Sequence, residues 1–409
     1  MERVRVGIIG SGFSAALHAE ALRQVHGLDV TLAAVAGRDH DKAKKFAARH
    51  GIATAHAHSY DLLADDDVDV VCLCVPNAAH APLAIEAAQA GKHVICEKPL
   101  TGAFTAPSGL DDGDDGDGDG GAFARTALEE ALTSADAVLD AMTAAGRRLM
   151  YAENWVYAPA VTKAKRLLGA AGGSILDIRA EESHSGSHAQ ASKYRARAGG
   201  GALLMLGSHP IGAALHLKAV EGRRKTGQPV RVRSVVADTA PLWDAPAYDD
   251  HARRWLVSDW VDVETWASAI LTFTDGTKAV INASFGQLGG VRNTLELATT
   301  NAVLRANMTP NDALLAYAPH AEVFGAEYLS EKLETKAGWS TPAPDEDWVR
   351  GYPQEMQDFC ECVTYDREPL SDATLARDVV EVIYAAYLSA ETGRRINLPV
   401  STESAGDSR

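Results

Sequence analysis

The chain has 409 residues, 46% of them hydrophobic, and a formal net charge of -16 at pH 7. That length and apolar content can bury a sizeable core and point to two or three domains. The acidic balance, to which six aspartates between Asp111 and Asp119 contribute, argues against a nucleic-acid partner. The five cysteines are an odd number, and Cys72, Cys74 and Cys96 fall in apolar strand-like runs, so reduced, buried thiols are expected rather than a disulfide framework. Neither Cys72-x-Cys74 nor Cys360-x-Cys362 has the usual two-residue metal spacer, and on a helix over 354–365 the second pair points apart, so no metal site is expected. No signal-peptide pattern precedes Val4, and no apolar run reaches the roughly 20 residues that cross a bilayer, so the expectation is a cytoplasmic protein with no membrane partner.

Val4 to Ala15 reads Val-Arg-Val-Gly-Ile-Ile-Gly-Ser-Gly-Phe-Ser-Ala. A short apolar strand ends at Gly10, Gly12 follows, and a helix is expected over Phe13 to Val25, the order of a dinucleotide-binding βαβ unit. Gly10 permits the tight turn, Gly12 lets backbone approach a pyrophosphate, and Ala15 lets helix and strand pack closely. The phosphates would lie on the helix N-terminus, where free N–H groups and the helix dipole favour an anion. Strands follow at Val30–Ala36, Val68–Val75, Lys92–Cys96 and Arg148–Ala152, with helices at Asp41–His50, Ala78–Gly91 and Thr126–Gly146. Residues 1–152 therefore read as a doubly wound parallel sheet, a Rossmann α/β domain.

Between Thr105 and Ala122 the pattern collapses into an aspartate-glycine tract with nothing to bury, which is expected to be a disordered loop. Asp115, Asp117, Asp119 and Gly120 match half of a calcium loop, but the twelfth position is Thr126 and no helix precedes it, so calcium is not expected. Beyond Ala152 the strands are longer and alternate: Ser174–Glu182, Val230–Thr239, Val263–Thr274, Lys278–Phe285, Thr294–Thr299 and Ala302–Asn307. Residues 153–400 are expected to form an α+β domain, with a largely antiparallel open sheet covered by helices on one face. Helices Pro353–Tyr365 and Asp372–Thr392 close the chain before a frayed tail at 401–409.

Ligands of open α/β sheets lie beyond the carboxyl ends of the strands. There stand Val75-Pro76-Asn77-Ala78-Ala79-His80 and Cys96-Glu97-Lys98-Pro99-Leu100. Together with the glycine turn these resemble the Gfo/Idh/MocA family of NAD(P)-dependent oxidoreductases, whose first domain carries such segments. The resemblance continues through Tyr151-Ala-Glu-Asn154-Trp155, through Gly199-Gly-Gly-Ala-Leu-Leu-Met205-Leu-Gly207-Ser-His209, and to Ala385–Gly393. It implies an NAD(P) site at Gly10, Gly12, Phe13, Ser14, Ala15, Pro76, Asn77, His80, Glu97, Lys98, Asn154 and Trp155. It also implies hydride transfer between the nicotinamide and a sugar-like or cyclitol-like carbinol, with Lys98 towards the reacting hydroxyl and His209 moving its proton. The family commonly places an aspartate four residues before that histidine, where this chain has Met205. Either Lys98 and His209 then act without a carboxylate, or Glu181, Glu182 or the Glu182-Ser-His184-Ser-Gly-Ser-His188 segment supplies the substitute.

The same segment, with Lys193, Tyr194 and Arg195 shortly after, offers imidazoles, hydroxyls and cations for a polyhydroxylated or anionic sugar. Ala36-Gly37-Arg38-Asp39 ends the second strand, where an acid usually takes the ribose hydroxyls and an arginine accommodates a 2′-phosphate; Gly37 and Arg38 lean slightly towards NADP, with Asp39 reaching the ribose and Arg38 stacking on adenine as the open alternatives. Two other activities suit the resemblance: a glycosidase working by transient oxidation and elimination, and a non-catalytic cofactor-binding protein. A dimer or tetramer formed through the C-terminal sheet is expected.

Overall fold

The computed structural model describes residues 3–105, 121–248, 254–309 and 314–400; the tract Asp111–Asp119, the calcium-like half motif and the tail at 401–409 lie outside the described residues. The chain begins with β1 (Arg3–Ile9), α1 (Phe13–Arg23), β2 (Asp29–Ala36), α2 (His40–Arg49), β3 (Thr54–His56) and α3 (Ser59–Leu63). It continues with β4 (Val70–Leu73), α4 (His80–Gln89), β5 (His93–Glu97), α5 (Ala122–Ala144) and β6 (Leu149–Ala152). These strands form one parallel sheet in the order β3-β2-β1-β4-β5-β6, so the chain reverses direction across the sheet between β1 and β4 and opens a crevice there. Val70–Leu73 is buried at every position, as expected of a central strand covered on both faces. Strand β3 was not expected, because three residues are too short to show an alternation. Helix α5 starts at Ala122, a turn before the expected Thr126, directly behind Gly121 with its φ of +113°.

The second half contains α6 (Pro159–Ala171), β7 (Ile175–Ser183), α7 (Arg195–Ala198), α8 (Ala202–Met205), α9 (Ser208–Thr226), β8 (Val232–Ala240) and β9 (Trp266–Phe273). Then come β10 (Lys278–Ser284), β11 (Arg292–Thr299), β12 (Val303–Thr309), β13 (Ala316–Ala318), β14 (Gly338–Ser340), α10 (Glu346–Arg350), α11 (Tyr352–Thr364), α12 (Ala373–Thr392) and β15 (Ile396–Asn397). The large sheet runs β12-β11-β7-β10-β9-β8-β15 and is antiparallel except where β7 lies parallel to β10. Helix α9 packs on β7 and is buried at every residue from Ser208 to Lys218. The last helices return to the first sheet: α11 packs against α1, and α12 packs against both α5 and β8. One apolar core consequently runs through both sheets, and a smaller cluster forms around Leu206, Trp260 and Phe285. All five cysteines are buried and free. Among the described residues no helix is long and apolar enough to cross a membrane.

Candidate active site

At the crevice, the first glycine is required by backbone contact. Gly10 has φ +117°, and a Cβ there would lie 2.1 Å from the carbonyl oxygen of Cys74 at the end of β4. Gly12, the N-cap of α1, makes no side-chain cap and a Cβ on it would meet nothing within 4 Å. Unpaired N–H groups of an eleven-residue helix thus face open space, which is what a pyrophosphate needs. A groove of 930 Å³ runs from here past Ser11, Arg38, Lys42 and Pro76, and the second domain closes it with Ala191 and Arg197. The residues present therefore fit a dinucleotide. Ala15 is fully buried, so it packs helix on sheet rather than touching a ligand. The carboxylate of Asp39 accepts from Lys42 N at 3.1 Å and lies 3.5 Å from Lys42 Nζ, which occupies it as the cap of α2.

The two loops after β4 and β5 are held by buried polar groups. His80 is almost fully buried between Pro99 O at 2.7 Å and Val75 O at 3.0 Å. It clamps the loops together instead of facing the groove, which corrects its expected place at the cofactor. Asn77 likewise turns from the groove and donates to Ala198 O at 2.7 Å, tying the first domain to the second. Glu97 lies 2.8 Å from the Nε2 of His18 and accepts from Lys98 N at 3.1 Å. Burial alone would raise the Glu97 pKa, but His18 and then Lys98 bring it down to about 2. Burial opposes charge on His18, yet the Cys74 sulfur and the Glu97 carboxylate outweigh it and lift the ring to about 10. This ion pair fixes the turn that carries Lys98, whose Nζ donates to Met205 O at 2.6 Å. Position 205 does contribute, then, but through its backbone; the Met205 side chain packs against the Leu206–Trp260 cluster.

Beyond Gly12, Phe13 and Ser14 line a second cavity of 210 Å³ with Lys98, Asn154, Trp155 and His209. Asn154 is fixed by donating to Arg350 O at 2.9 Å, and the Trp155 ring stacks on His209 at 6.1 Å and 10°. His209 is the second residue of α9, and its Nδ1 lies 2.7 Å from Glu153 Oε1. Glu153 stands at the end of β6 and is fully buried; Gly212, one turn along α9, makes room for it, since a Cβ there would lie 2.8 Å from Glu153 Cγ. The carboxylate beside His209, expected from Glu181, Glu182 or the segment up to His188, is thus supplied chiefly by Glu153, directly after β6. Glu182, on β7, stands farther off, with Oε2 3.9 Å from His209 Nε2. Burial raises the pKa of Glu182, against the pull of His209, Lys98 and Arg350.

The segment that follows β7 comes apart. His184 lines the cavity, accepts from Gly186 N at its Nδ1 at 3.0 Å, and is held neutral by burial and then by Lys332, with a pKa of about 3. His188 is exposed, and neither it nor Lys193, Tyr194 or Arg195 lines the groove or the cavity. Lys193 pairs with Asp259. Arg195 lies 4.0 Å from Glu264 and over the rings of Phe123 and Tyr387, while Tyr194 carries the guanidinium of Arg197 on its face. Acids of the 254–265 loop thus neutralise cations expected to grip substrate. In their place stand Asn293, Glu331, Arg350 and Tyr352, which sequence proximity could not connect to the site.

A groove that fits a dinucleotide on a Rossmann sheet, near a cavity with a lysine and a carboxylate-backed histidine, is the arrangement of an oxidoreductase with an NAD-binding Rossmann fold. Residues 4–107 match the oxidoreductase family with an NAD-binding Rossmann fold, 161–305 the GFO/IDH/MocA C-terminal domain, and 316–398 the oxidoreductase family C-terminal alpha/beta domain. The chain belongs to the Gfo/Idh/MocA family of oxidoreductases. It is 26% identical over 367 residues to D-xylose 1-dehydrogenase (NADP(+)) 2 of Haloferax volcanii, covering 90% of this chain and 91% of that one. Myo-inositol 2-dehydrogenase of Thermotoga maritima is 35% identical over 98 residues, 24% of this chain and 29% of that one. Among solved structures, GenD2 from gentamicin A biosynthesis in complex with NAD has a TM-score of 0.77 and 27% identity, covering 98% of this chain and 97% of its own. Levoglucosan dehydrogenase with NADH and L-sorbose shares the fold at TM-score 0.71 and 21% identity, covering 98% of this chain and all of the other.

Proposed function

We propose that the protein is an NADP-preferring dehydrogenase that oxidises a carbinol of a sugar or cyclitol, with His209 as proton acceptor and Lys98 as the group that orients the reacting hydroxyl. The observation that carries this is the 2.7 Å contact between His209 Nδ1 and the buried Glu153 carboxylate: a carboxylate there selects the tautomer whose Nδ1–H donates to it and whose Nε2 lone pair is left on the side of Glu182. A bound nicotinamide would accept or return the hydride. Lys98, anchored by Met205 O, would stabilise negative charge developing on the substrate oxygen, while stacked Trp155 keeps the imidazole plane in place. Preference for NADP rests on Arg38 and Lys42 at the groove rim and on the engagement of Asp39 as a helix cap, which takes it away from a ribose diol. The NADP(+) in the name of the Haloferax relative points the same way. Assembly through the open face of the large sheet is part of the proposal; sedimentation should show a dimer or tetramer, and a monomer at micromolar concentration would remove it.

The direct test is a panel of aldoses, aldonic acids, amino sugars and cyclitols, assayed with each cofactor by nicotinamide absorbance. Reduced NADP formed in a one-to-one ratio with an oxidised sugar supports the proposal. Release of a sugar from a glycoside with no net absorbance change would instead point to a glycosidase. Cofactor binding without turnover across the panel would point to a binding protein.

A further inference from the structure

The substrate cavity carries two buried acceptors that nothing in the chain uses. Glu182 Oε2 and Asn293 Oδ1 have no hydrogen-bond partner among the described residues, and both residues line the cavity. They face the same site because β7 and β11 are paired with Glu182 directly opposite Asn293. Of the other charged groups here, Arg350 forms ion pairs with Glu331 and Glu346 while its buried Nε stays without a hydrogen-bond partner among the described residues, Glu97 is paired with His18, and Lys98 donates to Met205 O, which leaves its charge facing the cavity. Around Glu182 stand His209 at 3.9 Å, Lys98, Arg350 and Glu153, and the described structure puts no lysine or arginine nitrogen within 4.0 Å of its carboxylate. A buried carboxyl in this position is costly unless it is protonated or given a cationic donor. A hydroxyl satisfies one lone pair and leaves the charge unmatched; an ammonium satisfies both oxygen and charge.

Resting on the dehydrogenase reading above, we propose that the substrate is an amino sugar or aminocyclitol whose ammonium group, beside the carbinol to be oxidised, is held between Glu182 and Asn293. Lys98 and His209 then face the hydroxyl, and the cross-strand pair faces the amine. Burial raises the pKa of Glu182 and an ammonium beside it lowers it again, so an arriving amine displaces a proton to the extent that Glu182 is protonated in the free enzyme. Binding of the amine is accordingly coupled to proton release, and binding of a neutral sugar is not.

The test uses NADP-loaded enzyme and matched pairs differing only by amine for hydroxyl: glucosamine and glucose, 3-amino-3-deoxyglucose and glucose, and scyllo-inosamine and scyllo-inositol. Calorimetry in two buffers of different ionisation enthalpy measures affinity and proton release, and kcat/KM is measured for each member. At least one amine should bind about tenfold or more tightly than its partner, as a charge-assisted hydrogen bond implies, with proton release. In Glu182→Gln that preference and the proton release should both disappear. In Asn293→Ala, a second variant should Glu182→Gln fail to fold, the preference should shrink. Equal affinity within every pair, failure of every amine to bind, or a preference that survives in both variants overturns the inference. If neutral sugars are oxidised without any amine preference, the dehydrogenase reading stands and only this inference falls; if amines bind with proton release but no hydride moves, the dehydrogenase reading falls instead.

Discussion

Glutamine at position 153 would change one charge and almost no volume, which makes Glu153→Gln the sharpest probe of how His209 is prepared. The carboxylate is fully buried and receives Nδ1–H at 2.7 Å, a charge-assisted hydrogen bond of about 1.5–3 kcal/mol. Its contribution grows as the imidazole takes a proton, because an anion stabilises imidazolium more than imidazole. At about 1.4 kcal/mol per decade, turnover should fall roughly 10- to 100-fold. An amide can also donate to Nδ1 and select the other tautomer, which would push the loss further, towards ~10⁴-fold. Steady-state rates with the best substrate from the panel, alongside cofactor titration, provide the assay. The expected pattern is a fall in kcat with the cofactor Kd and thermal midpoint close to those of the parent. A variant with parental kcat would refute the role given to Glu153, and a fall in cofactor affinity equal to the loss in rate would make it a structural residue only.

The remaining predictions concern the frame around that pair. Glu97→Gln should lower thermal stability most between about pH 4.5 and 6.5: the low pKa of Glu97 stabilises above its ordinary 4.5 and is lost towards about 2, while the high pKa of His18 stabilises below 6.5 and is lost towards about 10. A stability difference that is flat with pH would contradict the ion pair. Met205→Asp should not restore a family-like carboxylate but should cost roughly 1–3 kcal/mol in denaturant unfolding, because the side chain packs against an apolar cluster; unchanged stability would place that side chain in solvent. Arg38→Ala should weaken NADP by roughly 10- to 100-fold and NAD much less, whereas Asp39→Ala should leave NAD affinity intact and cost about 0.5–2 kcal/mol of stability as a lost helix cap. Equal losses of both cofactors in Arg38→Ala would mean adenine stacking instead.

What the sequence disclosed, and what it hid, divides along local and non-local lines. The strand, the two glycines and the helix at 4–23 are contiguous, so their spacing states their geometry. The turn carrying Lys98 and the helix start carrying His209 were legible for the same reason, each framed by neighbours of recognisable type. The role of Glu153 is not legible in its motif, because its partner lies 56 residues away; its only traces are a charge just after an apolar strand and a glycine inside α9. Lys193, Tyr194 and Arg195 are near His184 in sequence but not at the cavity, and the acids that neutralise Lys193 and Arg195 lie near residue 260. Asn293, Glu331 and Arg350 reach the cavity only through strand pairing and the return of the C-terminal helices, which periodicity does not reveal.

In the proposed reaction His209 takes the hydroxyl proton while hydride leaves the same carbon for the nicotinamide. Its most direct test is transfer of deuterium from the carbinol carbon of the best substrate to bound NADP, followed by mass spectrometry in the parent and in His209→Ala. Deuterium is expected on the nicotinamide in the parent, with a ~10²- to 10⁴-fold slower transfer in the variant and undiminished cofactor affinity. Deuterium that appears in water or returns to the product, or a variant as fast as the parent, would contradict it.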